Sequence, residues 1–190
     1  QSFLRFSVNV QSRLFHHKTA HSDSRLHEPV NGVIIRVLPA VTAVNHRSTM
    51  MTAEISKTTP PEAWAYLQKH PQAVLLDVRA SMEYQYVGHP PDAVHVPLKE
   101  PPDWQVDSGF IDKVRAALAR VRPGEPVEKL PVLALCRSGA RSQTAAELLA
   151  AAGFANLHNV VEGFEGDLNE QRQRGHINGW RFHNLPWEQS

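Results

Sequence analysis

Cysteine is nearly absent: among 190 residues there is one, Cys136. A single thiol excludes an internal disulfide and any zinc or iron–sulfur site built on several cysteines. It also excludes an internal resolving thiol, so whatever the sulfur carries must be handed to another molecule. Long apolar runs are missing too. The best candidate, residues 32–44, falls short of the ~20 residues that cross a bilayer and is interrupted by Arg36. No membrane partner is expected. The larger part of the chain has no basic surplus, since residues 51–190 carry fourteen Lys and Arg against seventeen acidic residues. The electrostatic attraction that supplies non-specific nucleic-acid affinity is therefore not expected either. The eleven histidines show no HExxH-type spacing, and six of them (His16, His17, His21, His27, His46 and His70) lie in the first fifty residues or at a helix end. No metal and no cofactor is expected.

What is present is ordinary for one hydrophobic core: 42% hydrophobic and 21% charged residues. Residues 1–50 are rich in Ser, His and Arg, hold two acids against six bases, and show no sustained periodicity. They are read as an N-terminal extension, an unstructured stretch ahead of Met50 and Met51 or an Arg- and Ser-rich transit peptide. The short apolar run at residues 33–38 is the strand candidate within it. Residues 51–190 are read as the domain. One free thiol and no convincing export signal make the cytoplasm the default location, with the mitochondrion as the alternative if the extension is a transit peptide.

From Thr58 the pattern becomes regular. Thr58-Thr59 ahead of Pro60-Pro61-Glu62 predicts a helix start that runs to about His70. Ala73-Val74-Leu75-Leu76-Asp77-Val78 is a continuous apolar run of the kind a buried parallel strand shows. A short helix at residues 81–86, a turn at Gly88-His89-Pro90-Pro91 and a short strand at residues 93–96 follow. Phe110, Ile111, Val114, Ala117, Leu118 and Val121 recur at helical spacing. Pro131-Val132-Leu133-Ala134-Leu135 is a second buried strand. Residues 142–152 form an Ala- and Leu-rich helix stopped by Gly153, and residues 157–161 a last strand. Strands alternating with helices define an α/β domain with a mainly parallel sheet.

That order gives Cys136 a chemical setting. On its own a lone cysteine is most often a small buried hydrophobe, but here it stands where a strand ends and a helix is about to begin. In open α/β sheets ligands bind beyond the carboxyl ends of the strands. The loop Cys136-Arg137-Ser138-Gly139-Ala140-Arg141 leads directly into a helix, whose unpaired N–H groups and positive dipole end favour an anion. Gly139 lets the backbone curl so that N–H groups converge, and Arg137 and Arg141 add two cations. Exposed thiols in such places ionise readily, with pKa values of roughly 3.5–7.5. Cys136 is therefore the candidate nucleophile. Ser138 and Ser142 offer hydroxyls, with Ser142 expected to cap the helix. A Cys–His pairing with His89, His95 or His158 has no accompanying orienting pattern to support it.

The residues from about 60 to 186 resemble a single-domain rhodanese of the thiosulfate sulfurtransferase superfamily. Three stretches carry the resemblance: Leu75-Leu76-Asp77-Val78-Arg79 with Glu83-Tyr84; Gly88-His89-Pro90-Pro91-Asp92-Ala93-Val94-His95-Val96-Pro97; and the loop from Cys136 with Ser142 after it. The resemblance implies a three-layer α/β domain, with a mainly parallel central sheet flanked by helices. It implies a Cys136 persulfide, formed from thiosulfate or a persulfide donor and held by Arg137, Ser138, Gly139, Ala140 and Arg141. Cyanide, a cellular thiol or a redox protein would then take the sulfur. Asp77, Arg79 and His89 belong to the same pattern and are read as supporting, through a carboxylate–guanidinium contact and a turn-fixing imidazole. Four residues separate Cys136 from Arg141, one fewer than in the phosphatases and arsenate reductases of similar fold, which argues against an oxyanion such as phosphate. The same residues would also serve a persulfide carrier with little thiosulfate turnover, and, less well, a catalytically silent interaction module. The chain departs from the family after its last strand, where Glu162-Gly163-Phe164-Glu165-Gly166 and a polar stretch at residues 167–178 precede Gly179-Trp180. Trp180 is expected in the core; Trp187 is expected either to pack across the sheet or to line the site entrance.

Overall fold

The computed structural model describes residues 53–189. The expectations placed on residues 1–50, including the strand at 33–38, lie outside these residues. Eight regular elements are formed: β1 Ile55–Thr58, α1 Pro60–Lys69, β2 Val74–Asp77, β3 Val94–His95, α2 Phe110–Val121, β4 Pro131–Leu135, α3 Ala140–Ala151 and β5 Asn156–Val160. The five strands pair in the order β1-β5-β4-β2-β3 and every pairing is parallel. Register is set by apolar rows, with Leu75 opposite Leu133 and Leu76 opposite Ala134.

Period-two alternation divides the side chains between two faces. Val74, Leu76 and Val132 join Phe110, Val114 and Leu118 of α2 and Ala145, Ala146 and Leu149 of α3 on one face. Leu75, Leu133 and Leu135 join Ala63 of α1, Phe164 and Trp180 on the other. Helices thus cover both faces, which is why β2 and β4 are apolar without interruption. Trp180 is fully buried and meets Trp64 edge-on at 5.9 Å, as expected of a core residue.

The expected helix at 60–70 is present. Its start is fixed by Glu62, whose carboxylate accepts the N–H and the hydroxyl of Thr59, both at 2.8 Å. Three differences appear, two of them with a local physical cause. The edge strand β1 carries too little apolar patterning (Ile55-Ser56-Lys57-Thr58) to be read from sequence. The turn at Glu83–Val87 is a single π-helical turn. α3 begins at Ala140 rather than Ser142, because Gly139 in the left-handed region (φ 92°) turns the chain straight into the helix.

Chain direction then places the site. From β2 the chain moves outward to β3, and from β4 it moves the opposite way to β5. The crevice between the carboxyl ends of β2 and β4 is the point at which strand order reverses, and such points are where parallel sheets bind ligands.

Candidate active site

Cys136 follows β4 at that reversal, and the residue is 1% exposed. Depth distinguishes it from the exposed thiol the sequence suggests. Two donors reach Sγ: the Gly139 N–H at 3.2 Å and the Ser142 hydroxyl at 3.3 Å. Glycine is required at 139, because a Cβ there would lie 2.0 Å from the Val161 carbonyl oxygen as well as sitting at positive φ. Ser142 is not the expected cap. It is the third residue of α3, fully buried, and its hydroxyl also faces the Gly139 carbonyl at 3.1 Å and Asn159 Oδ1 at 2.7 Å. One hydroxyl proton serves three acceptors, so Ser142 can donate to Sγ or accept from it.

The loop is held from behind by the segment after β5. The Phe164 N–H donates to the Cys136 carbonyl at 2.7 Å, and those of Glu165 and Gly166 to the Arg137 carbonyl at 3.0 and 3.2 Å. A Cβ on Gly163 would come within 2.5 Å of the Cys136 carbonyl oxygen, so the two segments lie flush because position 163 has no side chain.

The two loop arginines differ. Arg137 projects into solvent and has no ion pair among the described residues. Arg141 forks onto Glu83, Nη1 to Oε2 at 2.6 Å and Nη2 to Oε1 at 2.7 Å, with side chains 19% and 14% exposed. Burial pushes the Glu83 carboxyl up, but the Arg141 hydrogen bonds and charge, the Ala80 N–H and Arg79 together hold it below its ordinary value. Burial likewise lowers Arg141, and Glu83, then Cys136 and Asp77, more than restore it. Ser138 and Ala140 complete the loop, half-buried and exposed respectively.

Asp77 and Arg79 make the carboxylate–guanidinium contact expected of them, with Nε at 3.0 Å from both carboxylate oxygens and Nη2 at 2.6 Å from Oδ2. Arg79 Nη2 also donates to the Gly88 carbonyl at 2.7 Å. Its Nη1 has no hydrogen-bond partner, and the guanidinium lies over the Phe164 ring at 4.2 Å, whose π face stands in for one. His89 fixes the turn: its ring stacks on Tyr84 at 3.8 Å and Nδ1 is 3.0 Å from the Tyr84 carbonyl. His95 bonds the Arg79 carbonyl, and His158 faces Thr58. Neither these nor His89 hydrogen-bonds to Cys136, so no Cys–His pair forms among the described residues.

Sequence reasoning did not find Glu83 as the partner of Arg141, Asn159 behind Ser142, or Gly163 beneath the loop. Only Glu83 left a signal, as an acid at fixed spacing after Asp77. Trp187, expected either across the sheet or at the site entrance, is 40% exposed, meets Phe164 edge-on at 6.4 Å and carries the Arg181 guanidinium at 4.5 Å over its ring. Among the described residues no group of three His, Cys, Asp or Glu is placed to hold a metal, and no helix is long and apolar enough to cross a membrane.

A parallel α/β domain with one cysteine at the head of a helix, cradled by a six-residue loop, defines a class of cysteine-centred domains. Comparison with known proteins makes the class specific. A family model described as a rhodanese-like domain matches residues 59–170. An uncharacterised protein of Rickettsia rickettsii is 31% identical over 130 residues, covering 67% of this chain and 92% of the relative. The thiosulfate sulfurtransferase GlpE of Actinobacillus pleuropneumoniae serotype 5b is 27% identical over 116 residues, covering 61% and 89%. The crystal structure of Rv0390 from M. tuberculosis is similar with a TM-score of 0.60 and 38% identity, covering 73% of this chain and all of that one. The chain belongs to the rhodanese-like domain family.

Proposed function

We propose that the protein is a sulfurtransferase that moves a sulfane sulfur from thiosulfate or a persulfide donor to a thiol or to cyanide. The observation that carries this reading is the pair of donors on Cys136 Sγ, a backbone N–H and a hydroxyl at the N-terminus of α3. The Gly139 N–H can only donate, and so is placed to hold the sulfur that attacks and is regenerated. In the first half-reaction the Cys136 thiolate attacks the outer sulfur of thiosulfate. The S–S bond of the donor breaks, sulfite leaves with the electron pair, and Cys136 becomes a persulfide. In the second half-reaction an acceptor attacks the outer sulfur and the electron pair returns to Sγ, regenerating the thiolate.

Burial of Sγ suits this chemistry. With Cys136 1% exposed, a slim sulfane donor arriving end-on suits the site better than a bulky electrophile. Once attached, the outer sulfur stands ~2 Å further out, where an acceptor can reach it. Arg137 is the cation free to meet an incoming anion, and Arg141, its charge answered by Glu83, holds the loop in place. Turnover with thiosulfate and cyanide tests the proposal: sustained sulfite and thiocyanate formation by the wild type, and none by Cys136→Ser, is expected. One equivalent transferred and then a stall would instead identify a persulfide carrier.

A further inference from the structure

The Ser142 hydroxyl behind Cys136 is one link of a longer hydrogen-bond series. Its oxygen lies 2.7 Å from Asn159 Oδ1, 3.1 Å from the Gly139 carbonyl and 3.3 Å from Sγ. Asn159 stands on β5, 4% exposed, and its Nδ2 donates to Gln143 Oε1 at 3.0 Å. Gln143 Nε2 donates in turn to Glu147 Oε1 at 3.0 Å. Gln143 and Glu147 lie one turn apart on α3, and Glu147 is exposed. Glu147, Gln143, Asn159 and Ser142 thus connect solvent to the buried sulfur.

The series has a direction, and its exposed end sets it. An ionised carboxylate only accepts, so Gln143 turns its NH2 group to Glu147 and its carbonyl to Asn159. Asn159 must then donate to Gln143, which leaves Oδ1 for Ser142. Ser142 has one proton, and the shortest of its three contacts is the one to Oδ1. A lone pair, not the proton, is left to face a neutral Sγ, and the S–H of the thiol can fill it. The Gly139 N–H cannot turn and donates to the sulfur throughout.

We propose that Asn159 is a positioning residue for Cys136: by holding the Ser142 proton it withholds the second donor from Sγ. When the sulfur becomes anionic, a charge-assisted bond draws that proton over. The turn leaves Asn159 Oδ1, a buried acceptor, without its donor, and this loss opposes the anionic sulfur. No hydrogen bond joins Asn159 to Sγ, so it acts through Ser142. The inference deepens the sulfurtransferase reading, on which its bearing on turnover rests. Sγ is anionic before it attacks the donor and again once the acceptor has taken the sulfur, and Asn159 weighs on both moments.

Cys136 is the one thiol of the chain, so its ionisation can be read from thiolate ultraviolet absorbance against pH, with each variant also carrying Cys136→Ser as its blank. Asn159→Leu frees the proton and should move the midpoint of that titration down by about one pH unit. Glu147→Lys, on the surface, puts a donor where only an acceptor stood. It should turn both amides and move the midpoint the same way, by about half a pH unit. The charged groups about Cys136 (Arg137 and Arg141 on its loop, Glu83, Asp77 and Arg79) are the same in every variant. In a Ser142→Ala background both shifts should vanish to within about 0.2 pH unit at physiological salt, where exposed charges are screened. An unmoved or raised midpoint in Asn159→Leu, or a fall that survives without the Ser142 hydroxyl, would overturn the proposal. Should the buried substitution fail to fold, Glu147→Lys decides by the same criteria. The titration does not depend on sulfur transfer: if thiosulfate leaves no sulfur on Cys136, the sulfurtransferase reading fails, and the role of Asn159 at the thiol is still decided.

Discussion

Two carboxylate–guanidinium pairs flank Cys136, and they do different work. Asp77 and Arg79 are two residues apart, fully buried between the sheet and the segment after β5, and close around the Gly88 carbonyl. Glu83 and Arg141 are 58 residues apart, partly exposed at the rim, and join the π-helical turn to the first turn of α3. The first pair is sealed from solvent and bonds the backbone at Gly88, while its charges also reach Glu83 and Arg141. The second is anchored in the loop that carries Cys136, and Cys136 is among the groups that raise Arg141.

Breaking each pair sharpens the contrast. Asp77→Ala leaves a buried guanidinium uncompensated and should cost about 3–5 kcal/mol, read by denaturant unfolding. Removing both charges, as in Asp77→Ala with Arg79→Leu, should be less damaging than additivity predicts. A loss below about 1 kcal/mol in the single variant would show that the buried pair is no clamp. Gly139→Ala comes next. It forces a Cβ against the Val161 carbonyl and strains a positive φ, for about 1–3 kcal/mol from the backbone alone and a displaced N–H donor at Sγ.

The rim pair should behave asymmetrically. Arg141→Ala leaves the Glu83 carboxylate unanswered near the thiol, so sulfur loading from anionic thiosulfate should fall at least about ten-fold while stability drops about 1 kcal/mol. Equal loss of loading and folding would remove Arg141 from the site. Glu83→Gln leaves the cation in place and should keep loading within about three-fold. Its stability deficit depends on pH. The folded carboxyl lies below its ordinary 4.5, so the wild-type advantage is present above that value and is lost as pH falls through the folded one. Acid titration of both proteins by circular dichroism should therefore show the two curves converging below about pH 4.5. Ser142→Ala carries the smallest effect, because its one proton is shared among three acceptors, and should slow persulfide formation about two-fold at constant donor affinity.

The sequence made the centre of this site legible and its supports less so. An apolar run ending in Cys136, a glycine three residues on and a helix beyond are local facts, and local order was enough to place the thiol at a helix head. The Asp77–Arg79 contact is local as well. Glu83 and Arg141 meet only because β2 and β4 are neighbours in the sheet, which no spacing records. Ser142 reads as a cap because hydroxyls usually cap helices; here Gly139 takes the N-cap position, and the hydroxyl turns inward to Asn159. β1 was missed because a solvated edge strand needs little apolar patterning.

The central claim is that Cys136 carries the transferred sulfur. Intact-protein mass spectrometry after incubation with thiosulfate tests it most directly, with Cys136→Ser alongside. The expected result is a gain of one sulfur atom on the wild type alone, removed by cyanide or by a thiol. An unmodified wild type, or the same gain on Cys136→Ser, would contradict it.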